Sequence, residues 1–221
     1  MSAYAKRLIG VTVATLVVCA LIAVFIAVYL LQAPPSAAAT STAQGDQLYL
    51  ATVPAAEPSD AHNTWVSYYA VDANSNHWFH ATTYTVPANT LLHVTIYQYD
   101  TASGLRNEYF GQVQGTSGGV MQLNGKSVQA IDPSDASHVF AIPAIGLYVP
   151  LKGISDNAKN PCSNAPCTLK NDHETISFTF RTPPKGLYRW QCLVPCAAGF
   201  IQGFGGPMQT VGYMDGYLKV V

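Results

Sequence analysis

Residues 8–32 read LIGVTVATLVVCALIAVFIAVYLLQ, and none of them carries a charge. A helix needs about 20 apolar residues to cross the hydrocarbon core of a bilayer. The run therefore predicts a membrane anchor, not part of a globular core. Lys6 and Arg7 stand just before it, and the next basic residue is Arg106. Basic flanks stay on the cytoplasmic side, which puts the N-terminus in the cytoplasm and everything after Gln32 in the periplasm or outside the cell. A cleaved secretory signal is the competing reading, because PSAAAT offers small residues to a peptidase. Its apolar region usually runs about 7–15 residues, and this run is longer. Cys19 lies within the span as a small apolar side chain.

The chain then divides into an anchor (1–33), a linker (34–47) and an extracytoplasmic domain (48–221). The linker is rich in Ala, Ser, Thr and Pro, a composition that holds a domain off a surface without folding. The extracytoplasmic domain is long enough to bury a core without help from metals or disulfides. Only 10% of the 221 residues are charged and the net charge is −1. No basic patch is present to bind nucleic acid.

Short strands account for the rest. In LLHVTIYQYD, Leu92, Val94 and Ile96 alternate with His93, Thr95 and Tyr97, the period of a half-buried strand. VPAN before it is a turn, with φ set by Pro87 and left-handed geometry tolerated by Asn89. Further strands are predicted in SHVFAIPAIGLYVPL, on both sides of the TPPKG turn in HETISFTFRTPPKGLYRWQC, and in DGYLKVV. With no helix-period segment after the span, the domain reads as all-β, a sandwich. Residues 101–134 are strand-poor and read as an insertion, with a hairpin at MQLNGKSV turned by Asn124-Gly125.

The five cysteines sort by position. Cys162 and Cys167, in the loop NPCSNAPC, predict a local disulfide clamp in an oxidising compartment. Cys192 and Cys196 form a C-x3-C pair with three readings open: a metal site, a disulfide, or the remnant of a site that has lost its metal. His77 and His80 are spaced i, i+3, which brings ligands together on a helix but not on a strand, so they read as strand packing. His62 and His93 read as solvent-facing and Trp190 as core. GFGGPM lacks the Lys-Ser or Lys-Thr of a phosphate loop. No G-x-S-x-G elbow or carboxylate pair points to catalysis by this chain alone.

Two segments resemble cytochrome c oxidase subunit II. DASHVFAIPAIGLYVPLKGI is similar to that family's first copper-ligand segment, through Asp135, His138, Phe140, Pro143 and Ile145-Gly146. GLYRWQCLVPC is similar to its second, through Gly186, Tyr188, Gln191, Cys192 and Cys196. The resemblance implies a cupredoxin-like Greek-key sandwich with one anchor, binding copper and moving electrons in a respiratory membrane complex. Its partners would be other subunits of that complex and a redox protein donor, with oxygen chemistry on a haem-copper subunit. It assigns His138 as an imidazole ligand, Cys192 and Cys196 as bridging thiolates, and Val194 as a backbone carbonyl ligand. The family's second His and its Met fall at Phe200 and Gly203 here, and no His occurs after His173. Only Met208 or Met214 is left to supply the thioether. The implied cofactor is therefore one copper ion or none. A metal-free structural or assembly subunit is the alternative.

The topology has a direct test. Protease added outside intact spheroplasts should digest the domain, whereas protection until lysis would reverse the orientation.

Overall fold

The computed structural model describes residues 2–27, 39–55, 65–75, 77–196 and 206–221. His62, Phe200, Gly203 and residues 28–38 lie outside them. The apolar N-terminal run expected to be an anchor forms a helix, α1 (Ala3–Phe25), capped by Ser2 through a 3.2 Å bond from the Ala5 amide. Its 23 residues span about 35 Å at 1.5 Å per residue, enough for a hydrocarbon core of about 30 Å. The Thr12 and Thr15 hydroxyls donate to the carbonyls of Leu8 and Val11, so neither is left as an open donor on the apolar helix surface. None of its side chains is buried in the protein.

The strands run in chain order as β1 (Ala39–Thr42), β2 (Gln47–Val53), β3 (Ser67–Asp72), β4 (His77–Phe79), β5 (Ala81–Val86) and β6 (Leu91–Gln98). Next come β7 (Met121–Leu123), β8 (Lys126–Val128), β9 (Ala136–Ile142), β10 (Leu147–Lys152), β11 (Glu174–Arg181), β12 (Gly186–Gln191) and β13 (Asp215–Val220). They form a six-stranded sheet, β1-β5-β13-β12-β9-β10, and a seven-stranded sheet, β4-β3-β2-β6-β11-β7-β8. Both sheets are mixed, as β1, β5 and β13 run parallel, as do β2 and β6. The all-β sandwich with one N-terminal apolar helix is thus what the chain forms.

The inward faces are those the alternation predicts. Leu92, Val94 and Ile96 of β6 and Ile176, Phe178 and Phe180 of β11 are buried, and they meet Trp190, Leu218 and Val220 of the other sheet. Trp190 lies at the centre. Its ring stacks with Tyr84 at 5.6 Å and Phe140 at 5.4 Å, and meets Tyr68 edge-on at 4.7 Å. Its indole N–H donates to the Thr82 carbonyl at 2.9 Å, which satisfies this buried donor.

Three features extend the sequence reading. Ala39–Thr42, within the stretch expected to be linker, instead pairs with β5 as an edge strand, so the sandwich begins before Leu48. Ala39 sits opposite Ala81, at the end of the sheet where Gln191 and Asp215 also lie. The insertion 101–134 carries the expected hairpin, with Asn124 and Gly125 at φ 50° and 78°. It also covers β10, an open edge otherwise prone to pair with another chain. Gln114 and Tyr148 exchange main-chain bonds of 2.8 and 2.9 Å, and the Tyr109 and Tyr148 rings meet at 4.6 Å. This cover is why every residue of β9 is buried.

On the outer face of the seven-stranded sheet, Cys162 and Cys167 form the expected disulfide. They pack with Ala165 against Tyr69, Val71, Trp78 and Tyr99. His80 stacks on Tyr69 at 4.6 Å with Nε2 2.7 Å from the Ser67 hydroxyl, and exposed His77 meets Phe79 edge-on. Both behave as packing groups.

β13 approaches β5 so closely at Gly216 that a Cβ there would overlap the Thr82 carbonyl, the acceptor of the Trp190 bond. Gly216→Ala should therefore destabilise the domain by about 2–3 kcal/mol, read as a lower midpoint in denaturant unfolding followed by Trp fluorescence.

Candidate metal centre

β12 pairs with β13 up to Gln191 opposite Asp215. One further ladder bond, from the Cys192 amide to the Met214 carbonyl at 2.9 Å, fixes Cys192 as the chain leaves the sheet. Pro195 cannot donate to a ladder, so the segment turns here. The turn brings the Val194 carbonyl to 3.5 Å from Cys192 Sγ and Cys196 Sγ to 3.6 Å from it. Below the turn, Asp215 is fully buried, and Arg189 holds it through Nε at 3.0 and 3.1 Å.

His138 comes from β9, the neighbour of β12 in the same sheet. Its Nδ1 lies 4.0 Å from Cys192 Sγ, and the three ligand atoms of His138, Cys192 and Cys196 all fall within 4.8 Å of one another. Cys192 and His138 are buried, Cys196 partly so, and both cysteines are unbonded. The set fits a single metal ion. With metal–sulfur bonds of about 2.3 Å, two thiolates on a tetrahedral ion stand about 3.7 Å apart. The imidazole nitrogen stands wider than the about 3.5 Å the same geometry asks, at 4.0 Å from Cys192 Sγ and within 4.8 Å of Cys196 Sγ.

The other sequence candidates distribute around this cluster. Val194 turns its carbonyl toward Cys192 Sγ. Met214 is buried with its main chain bonded to Cys192. Met208 is half-buried, and its carbonyl accepts from Gln191 Nε2 at 3.0 Å. Trp190 is a core side chain, two residues from the thiolate. Asp135, the carboxylate of the DASH segment, pairs with Lys152 at 2.9 Å instead of reaching His138.

Sequence reasoning missed Asp100. Its Oδ2 lies 3.0 Å from His138 Nε2, across the gap between the sheets. No spacing links residues so far apart in the chain. The only available signal was the position of Asp100 just past the end of the clearest strand.

These groups set one another's charge. Burial pushes the Cys192 thiol up, but bonds from Cys196 and His138 and the imidazolium charge outweigh it and bring it down to about 5. The S–H of Cys196 donates to that thiolate, and this bond, with burial, raises Cys196 well above the ordinary thiol value. Burial lowers His138, but its bonds to Asp100 and Cys192 prevail and lift it to about 9. Burial raises Asp100, while the bond and charge of His138 hold it below the usual carboxylate value. Without metal, the cluster is a hydrogen-bonded row of thiol, thiolate, imidazolium and carboxylate. A soft cation would replace the two inner protons.

No family model matches the chain, and no curated protein does. Among solved structures, it is similar to rusticyanin, a copper protein, at 14% identity over 82% of each chain with a TM-score of 0.33. It is similar to rusticyanin from Thiobacillus ferrooxidans at 13% identity, with the same coverage of both chains and a TM-score of 0.32. It is also similar to auracyanin B at 15% identity over 87% of this chain and 94% of that one, with a TM-score of 0.28.

In the reduced, metal-free protein, thiolate absorbance at 240 nm should correspond to one ionised cysteine at pH 7. It should fade with a midpoint near pH 5 and be absent in Cys192→Ser. Absorbance that develops only above pH 8 would show that the row does not form.

Proposed function

We propose that this is a membrane-anchored copper protein that passes single electrons within a respiratory membrane complex. The observation that carries the reading is the convergence of His138 Nδ1 and the sulfurs of Cys192 and Cys196 at one end of a strand-built domain. Thiolate with imidazole is a soft, mixed donor set that suits copper more than hard cations. Bound copper would supply the one-electron couple. Cys192 and Cys196 hold it by sulfur, His138 by nitrogen, and the Val194 carbonyl stands close enough to complete the set. Strands β9 and β12 are fixed by ladder bonds and Cys192 by its amide bond to Met214, which limits rearrangement of His138 and Cys192 as charge comes and goes.

The ligand count limits the site to one ion. Residues 197–205 read AAGFIQGFG, with no His, Cys, Met, Asp or Glu among them. Nothing in that segment replaces the second imidazole that the subunit II pattern has at Phe200. The finer reading keeps the subunit II resemblance: a domain facing the periplasm or cell exterior, a redox protein as donor and a haem-copper subunit as acceptor. The missing imidazole is the one observation in favour of the alternative, a metal-free assembly subunit on the same scaffold.

Copper titration of the reduced full-length chain in detergent separates the two. We expect one ion per chain and a thiolate-to-copper charge-transfer band in the visible. Cys192→Ser should abolish the band, and His138→Ala should lower affinity at least about tenfold. Neither uptake nor band would leave the assembly role. Two ions per chain would require a ligand from outside this set.

A further inference from the structure

We infer that Asp100 is the positioning residue of this centre, a latch from the opposite sheet that holds His138 by Nε2 and so aims Nδ1 at the sulfurs. This rests on the reading of His138, Cys192 and Cys196 as a copper site.

An imidazole can present either nitrogen to a ligand, and the bond made by one nitrogen settles the role of the other. Ionised, Asp100 only accepts hydrogen bonds. The 3.0 Å contact from its Oδ2 therefore requires a proton on Nε2. That leaves Nδ1, 4.0 Å from Cys192 Sγ, as the nitrogen that can give up its proton to a metal.

Asp100 is itself held at every polar atom. Its amide donates to Gln98 Oε1 at 3.2 Å, and its carbonyl accepts from Gln98 Nε2 at 3.1 Å and from the Ile154 amide at 2.9 Å. Its second carboxylate oxygen, Oδ1, accepts from the Thr101 amide at 2.7 Å. Gln98 is fully buried and bonded to the buried Thr52 hydroxyl of β2. The latch is thus rooted two strands deep in the seven-stranded sheet, whereas His138 lies in the six-stranded sheet and the two cysteines follow its strand β12. Lys152 already engages Asp135, so that carboxylate is not free to substitute.

The test uses the full-length chain in detergent with Asp100→Leu and Asp100→Asn. In the metal-free, reduced protein, a 1H–15N spectrum should show a slowly exchanging, downfield Nε2–H proton from His138. Asp100→Leu should lose it. Asp100→Asn keeps an acceptor of the same shape but no charge, so the proton should persist and move upfield. Asp135→Asn should leave it unchanged. Copper affinity should fall about 10- to 100-fold in Asp100→Leu and less in Asp100→Asn, with unfolding midpoints measured alongside. If Asp100→Leu does not fold, the upfield move in Asp100→Asn carries the test. No protected Nε2–H in the wild type, or one unmoved in Asp100→Asn, overturns the latch. If the wild type takes up no copper but the proton responds as expected, the copper reading falls and the latch stands.

Discussion

The packing of one indole underlies both the fold and the site. Trp190 sits between Tyr84 and Phe140 with its N–H tied to Thr82, which fixes β12 in register between β13 and β9. A slip of one residue would turn Trp190 to the outer face and move Cys192 to the wrong side of the sheet. Because Trp190 is fixed, the chain leaves the sheet at Cys192 at a set height, beside the β9 residue that bears the imidazole. Burying so large a ring contributes on the order of 3 kcal/mol. Its greater effect is to hold the register that the metal-directed donors require.

Much of this was legible because it is local. The alternation of Leu92, Val94 and Ile96 needs only period two, and Asn124-Gly125 announces its own turn. Cys162 and Cys167 lie close enough in sequence for compartment alone to predict their pairing. The convergence of His138 with Cys192 was legible only through resemblance to a known pattern, since the two come from strands far apart in the chain. That pattern includes Asp135 without giving it a role, and the structure pairs it with Lys152; it was silent on Asp100, which bonds the imidazole from the other sheet. The pairing of β1 with β5 was hidden for a further reason. Ala, Ser and Thr in that segment carry no hydrophobic alternation, and its order comes from main-chain bonds to a strand already in place.

The row of charges at the site sets a condition on the metal. The imidazolium of His138 lies between a thiolate and a carboxylate, so the metal-free cluster carries a single net negative charge instead of two. A cation that binds must displace protons from Cys196 and from His138 Nδ1, and its affinity therefore rises with pH as those protons become easier to remove. Burial sharpens the choice between the two states, because an unbalanced charge is costly where water is excluded.

The parallel pairing of β1 with β5 has a mechanical side. The strand that follows α1 in the chain joins the sandwich at Ala39, level with Ala81, at the end where Cys192 leaves the sheet. The chain between Ala27 and Ala39 can reach at most about 40 Å when fully drawn out. Were α1 seated in a bilayer, that covalent length would cap the distance from α1 to the cluster end of the sandwich. The opposite end, around Pro87 and Val221, would be capped less tightly, by the further length of the strands.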